Sequence, residues 1–197
     1  MVTNINLKQS QNSSSGERGK IHPHKFTLWV AMGSIIMMFA GLTSAYIVKS
    51  SQANWVEVQT PVQFWISTGV MLLSSVTVQM ALRSFKQREM NKYRTLLLAT
   101  TILGIVFVLL QWSGFQWMWN NGVRFSGAGA GQFLYIIAGL HAVHVIGGLV
   151  AMLLIARKAF FGKTKTYSSV GIDIMSTYWH FVDVLWIYLL VFFIWLG

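Results

Sequence analysis

The stretch Tyr178–Gly197, YWHFVDVLWIYLLVFFIWLG, decides the fold. Apart from His180 and Asp183 it is apolar or aromatic almost throughout, and it matches the ~20 residues an α-helix needs to cross a hydrocarbon core ~30 Å thick. His180 and Asp183 lie three apart, and three residues of helix turn about 300°, so both side chains leave on much the same face. Ionisable groups inside a bilayer are costly and seldom face lipid. The face that carries them is therefore an interior or partner-facing seam.

Four more runs without a charged residue precede it: Phe26–Val48, Val62–Leu82, Thr95–Val123 and Ala128–Ala156. Each is long enough to span. Helices are the expected form, because each satisfies its own backbone polar groups in lipid. The alternating polarity of a transmembrane barrel is absent. The sequence thus predicts an all-α membrane protein, a bundle of five transmembrane helices at about 26–48, 62–82, 95–119, 130–156 and 174–196, behind a polar tail over residues 1–25. The composition agrees: 54% of the 197 residues are hydrophobic and 10% charged, unlike a soluble domain.

The formal charge of +10 raises the question of nucleic acid, and its distribution answers it. Lys8, Arg18, Lys20 and Lys25 precede the first span; Arg83, Lys86, Arg88, Lys92 and Arg94 join the second to the third; Arg157, Lys158, Lys163 and Lys165 join the fourth to the fifth. Lys49 and Arg124 alone fall in the other two connections. Thirteen of fifteen cations on alternate sides is the pattern of cytoplasmic loops. It places the N-terminus inside and the C-terminus outside, with no nucleic-acid partner. Arg83, Arg94, Arg157 and Lys158 are candidate contacts for lipid headgroups.

Small residues at Gly33, Gly41 and Ala45 suit close helix packing in the first span. Thr68, Ser75 and Gln79 form a polar stripe on the second, of the kind that hydrogen-bonds to a neighbouring helix or its own backbone. Trp112, Trp117 and Trp119 read as an outer aromatic belt. Packing seams are expected along His141, His144, Gly148, Ala151 and Ile155, and along Ser176, His180, Asp183, Ile187, Leu190 and Ile194. The spacing places these two helices side by side, antiparallel, across a loop of about seventeen residues.

Histidine invites a cofactor reading. The three within the spans, His141, His144 and His180, are fewer than a haem–copper centre requires. For a single haem, a rise of ~1.5 Å per residue puts His144 ~18 Å and His141 ~22 Å from the inner edge but His180 only ~9 Å, a strongly skewed pair. Asp183 at ~14 Å is the better match in depth to His144, which predicts an imidazole–carboxylate contact between them. His141, His144, His180 and Asp183 are read as a structural polar core. No cysteine is present, which removes disulfides, iron–sulfur clusters and a dicopper site from this chain. His22 and His24 flank Pro23 and are not expected to bind metal. There is no nucleophile elbow, HExxH, Walker loop or dinucleotide fingerprint.

The motif YWHFVDVLW (Tyr178–Trp186), with GLHAVHVIGGL (Gly139–Leu149) upstream, resembles subunit III of the haem–copper cytochrome c oxidases, in a short five-helix form covering about Lys25 to Gly197. The resemblance implies a non-catalytic subunit of a bacterial aerobic terminal oxidase in the cytoplasmic membrane. Such a subunit packs on subunit I, touches phospholipid, supports assembly and proton uptake, and works beside subunit II and in some complexes a cytochrome c-reducing partner. It binds no cofactor itself; haem a and copper belong to the partner subunits. Tyr178 and Trp179 would stand near headgroups at the start of the last helix. Ile35 and Gly114 occupy positions where many members carry glutamate, so functions tied to those acids are not expected. Alternative hosts are a quinol oxidase or a nitric oxide reductase; from another class, a stand-alone small transporter or membrane cytochrome b.

Overall fold

The computed structural model describes residues 23–51, 61–123, 130–161 and 169–196. They form five helices: α1 (Pro23–Ser50), α2 (Val62–Lys86), α3 (Met90–Asn120), α4 (Ala130–Phe161) and α5 (Ser169–Leu196). Each is long and apolar enough to cross a membrane, and no strand occurs among the described residues. Helix α1 begins at Pro23, where a missing N–H costs nothing because the first turn has no acceptor for it. Residues 23–25 are thus already helical, while residues 1–22 lie outside the described residues. The helices also outrun the uncharged segments at the basic end. Arg157 and Lys158 are still within α4, and Asp173 is already within α5. Helix α4 runs to Phe161 and α5 starts at Ser169, so both helices extend further toward each other in sequence than the charge spacing implies.

Helices α2, α3, α4 and α5 close a four-membered ring, each touching its two neighbours, with the α2–α3 hairpin the most extensive pair. Helix α1 lies outside this ring and touches only α4 and α5. It is tied there by Thr43 Oγ1 to the Tyr188 hydroxyl at 3.1 Å and by Tyr46 donating to the Leu196 carbonyl at 3.2 Å. Residues buried between the helices are large: Trp179, Trp186, Tyr93, Phe64, Phe107 and Met118 are among those sealed from the surface. The outward faces are equally apolar, with Trp29, Met37, Leu73, Leu109, Trp112 and Val184 more than half exposed. A protein apolar both inside and outside has lipid or another subunit as its solvent.

Two helix ends share one hydrogen-bond pattern. At α3, Val123 N–H donates to Met118 O and Gly122 N–H to Trp119 O, with Gly122 at φ 85°. At α2, Glu89 N–H donates to Ser84 O and Arg88 N–H to Phe85 O, with Arg88 at φ 61°. Both are Schellman caps, which place the closing residue in the left-handed region. Glycine enters that region freely, whereas a side chain costs about 1 kcal/mol. Arg88→Gly should therefore raise stability by about 1 kcal/mol, read as a higher unfolding midpoint in detergent; an unchanged or lower midpoint would show that Arg88 makes a compensating contact.

Candidate functional site

The interior is built around two indoles on α5, Trp179 and Trp186, seven residues and so two turns apart. Both are completely buried. Trp179 Nε1 donates to Ser74 Oγ at 2.9 Å and Trp186 Nε1 to Thr68 Oγ1 at 2.9 Å, so each is satisfied by a hydroxyl of antiparallel α2. The ring of Trp179 fills a slot that two glycines create. A Cβ on Gly104 of α3 would lie 3.0 Å from Trp179 Cη2, and one on Gly148 of α4 would lie 3.3 Å from Cζ3 and 2.9 Å from Tyr178 Cε1. One side chain thus fixes the spacing of four helices. Trp186 stacks on His141 (centroids 5.0 Å apart, 29°) and meets Phe64 and Phe107 edge-on.

The polar residues singled out in the sequence divide into engaged and isolated groups. His180 is engaged twice, Nδ1 with Ser75 Oγ at 2.6 Å and Nε2 with Gln79 Oε1 at 3.2 Å. Because Gln79 offers an acceptor, Nε2 carries the proton and Nδ1 accepts from Ser75. The polar stripe of α2 therefore meets α5: Thr68 takes Trp186, and Ser75 with Gln79 takes His180. His144 turns Nδ1 to the Leu140 carbonyl of its own helix at 2.7 Å, and its backbone carbonyl accepts from the Tyr178 hydroxyl at 3.1 Å. His141 is buried with no hydrogen-bond partner on either ring nitrogen. Asp183 is buried within reach of the Ser75 hydroxyl, although neither carboxylate oxygen completes a well-formed hydrogen bond. His141 is boxed by rings, Trp186 on its face and Phe39 and Phe107 at its edges.

Several sequence expectations change here. The His144–Asp183 contact is not formed; equal depth does not guarantee that two side chains point at each other. Trp179 lies in the core and not at the headgroups, because Gly104 and Gly148 open a slot for it. Tyr178 is half-buried with its hydroxyl directed at α4. The seam of α4 runs through His141, Val145, Gly148 and Met152, while Ala151 faces out; on α5, Ile187 and Ile194 also face out. Arg94 holds its guanidinium 5.7 Å over the Phe160 ring. Arg83, Arg157 and Lys158 are exposed. His22, the His24 side chain and Arg124 fall outside the described residues.

Ser67 and Ser74 were not legible as site residues. Their signal was the heptad spacing of the pairs Ser67–Thr68 and Ser74–Ser75, matching that of the two tryptophans. Ser67 Oγ accepts from Gln111 Nε2 at 3.0 Å. Gly114, one turn on, would place a Cβ 2.7 Å from Phe64 Cε1, so the Phe64 ring occupies the space a larger residue would need. No group of three metal-ligating side chains occurs among the described residues. With His180 doubly engaged, His141 and His144 remain, three apart on one helix, and such a pair cannot reach opposite faces of one haem.

Taken together, the architecture is that of a multi-pass all-α membrane subunit whose interior polar groups hold helices together. The model of the family described as cytochrome c oxidase subunit III matches residues 25–197, and this chain belongs to that family. A probable cytochrome c oxidase subunit 3 of Nocardia farcinica is 30% identical over 179 residues, covering 85% of this chain and 88% of the relative. The cytochrome c oxidase subunit 3 of Bacillus sp. PS3 is 29% identical over 167 residues, covering 82% and 80%. The human subunit 3 is 32% identical over 133 residues, covering 67% of this chain and 49% of its own length. The chain is accordingly a subunit of a haem–copper oxidase, and its partners are other oxidase subunits.

Two outcomes follow for the chain purified in detergent. Gly104→Ala and Gly148→Ala should each cost about 1–3 kcal/mol, the range for overfilling a packed core. Gly139→Ala and Gly147→Ala, which meet open space, should leave the unfolding midpoint unchanged or slightly raised; equal losses at all four would remove Trp179 as the cause. Asp183→Asn should not lower stability, since the charge is costly to bury and the carboxylate beside Ser75 holds no well-formed hydrogen bond to lose. A loss above about 1 kcal/mol, the net worth of a hydrogen bond, would reveal a partner beyond the described side chains.

Proposed function

We propose that this chain is the non-catalytic subunit III of a bacterial aerobic cytochrome c oxidase, seated in the cytoplasmic membrane against subunit I. The observation that carries the reading is how the interior is used. The indoles and His180 are spent on contacts between helices, and the remaining two intramembrane histidines share a helix, so the chemistry of oxygen reduction falls to haem a and copper in the partner subunits. Its own work is assembly and support of the partner that holds those cofactors.

The orientation follows from charge. The α2–α3 hairpin end, the end of α4 and the start of α1 carry most of the cations of the described residues, which favours the cytoplasmic side for them. Subunit I is assigned to an apolar flank, with subunit II and, in some complexes, a cytochrome c-reducing assembly further out. A groove of about 440 Å³ between α1 and α5, bounded by Ile36, Ala40, Phe181, Val184 and Tyr188, has the apolar walls an acyl chain requires. Support of proton uptake is assigned to contacts with the catalytic subunit. A relay through this chain is not proposed: Ile35 and Gly114 are not acids, and Asp183 is the one carboxylate well inside the spans.

Purification through a tag on this chain in mild detergent, followed by subunit identification and a reduced-minus-oxidised spectrum, tests the reading. The expected result is haem a bands with a co-purifying large subunit. Haem b bands with a quinol or nitric oxide enzyme would change the host, and a haem band from the chain alone would replace the reading with a membrane cytochrome.

A further inference from the structure

The five cations at the α2–α3 hairpin end differ in what they meet. Lys86 Nζ is 3.4 Å from Asp173 Oδ1 on α5, Lys92 Nζ is 3.0 Å from Glu89 Oε2, and Arg94 lies over Phe160. Arg88 closes the α2 cap, exposed. Arg83 is exposed too, and meets no hydrogen-bonding or ion-pair partner among the described residues. It instead lines a groove of about 640 Å³ at the hairpin's end, between α2 and α3.

The groove is graded along the bundle axis. Met80 and Leu96 form its deep walls, Arg83, Ser84 and Thr95 its middle, and Gln87, Glu89 and Lys92 its rim at the turn. Met80 to Gln87 is seven residues, a rise of about 10 Å, so an apolar floor gives way to cations within the depth of a headgroup region. Among the charged lining residues, Glu89 is already neutralised by Lys92, which leaves the Arg83 guanidinium unbalanced. A guanidinium matches a phosphate in shape and charge, and a basic juxtamembrane residue attracts anionic lipid by about 1 kcal/mol.

We propose that this groove holds one anionic glycerophospholipid of the cytoplasmic leaflet, its phosphate on Arg83 and an acyl chain along Met80 and Leu96. The proposal rests on the membrane orientation given under Proposed function. It adds a lipid site at the α2–α3 hairpin, formed by two helices that α1 does not touch.

The test is native mass spectrometry of the tagged full chain with whatever subunits accompany it, released from bilayers holding equal phosphatidylglycerol and phosphatidylethanolamine. The wild type should retain phosphatidylglycerol preferentially. Arg83→Gln should weaken that retention about fivefold, the factor that matches ~1 kcal/mol. Glu89→Gln, which releases Lys92, should strengthen it, and Lys49→Gln at the other end of the bundle should leave it unchanged. Opposite responses at Arg83 and Glu89 cannot arise from misfolding. Equal retention of the two lipids, or full retention in Arg83→Gln, would overturn the site. Subunit composition is read in the same spectra, so loss of the oxidase reading appears as missing partners, independently of lipid retention.

Discussion

The fit of the Trp179 indole between Gly104 and Gly148 is the constraint on which the rest of the bundle depends. In a bilayer, burying an apolar ring gains little over leaving it in lipid, so helices associate through close packing and interhelical hydrogen bonds. Trp179 supplies both at once. Its ring lies against two bare backbones, and its N–H reaches Ser74 on a third helix. Trp186 repeats the arrangement two turns along, with Thr68 as acceptor and His141 beneath the ring. Four helices are thereby held at a spacing that no sum of leucine contacts would specify.

The distribution of polar groups follows the same logic. Where α2 meets α5, hydroxyls and an amide answer the two indoles and His180 of α5, and Lys86 with Asp173 closes the basic end of that seam. Gln111 reaches across from α3 to Ser67 on the neighbouring face of α2. His141 and Asp183 stand apart, enclosed within the chain, the first among aromatic rings and the second beside Ser75 without a well-formed hydrogen bond.

Membership of the oxidase subunit III family gives this architecture its setting. The outward faces of the chain are as apolar as its core, the surface a neighbouring subunit or lipid would meet. Helix α1, attached by two hydroxyl contacts and a few aromatic pairs, is the element held least by the ring, and the groove beside it is among the features a lipid or neighbouring subunit would modify first.

By itself the sequence determined the helical class, the five crossings, the grouping of cations at one end and the family, through YWHFVDVLW and GLHAVHVIGGL. These are properties of composition and of one-dimensional spacing, which a bilayer reads directly through length and polarity. Which residues face which neighbour was decided only by the tertiary structure. Trp179 was legible as an interfacial aromatic because nothing in one dimension says that two glycines on other helices will leave room for its ring. His144 and Asp183 were legible as a pair because depth can be counted from sequence, whereas the rotation of each helix about its own axis cannot. That rotation is set by the largest side chains finding the smallest, and here it turned α5 so that its tryptophans point inward and His180 meets α2.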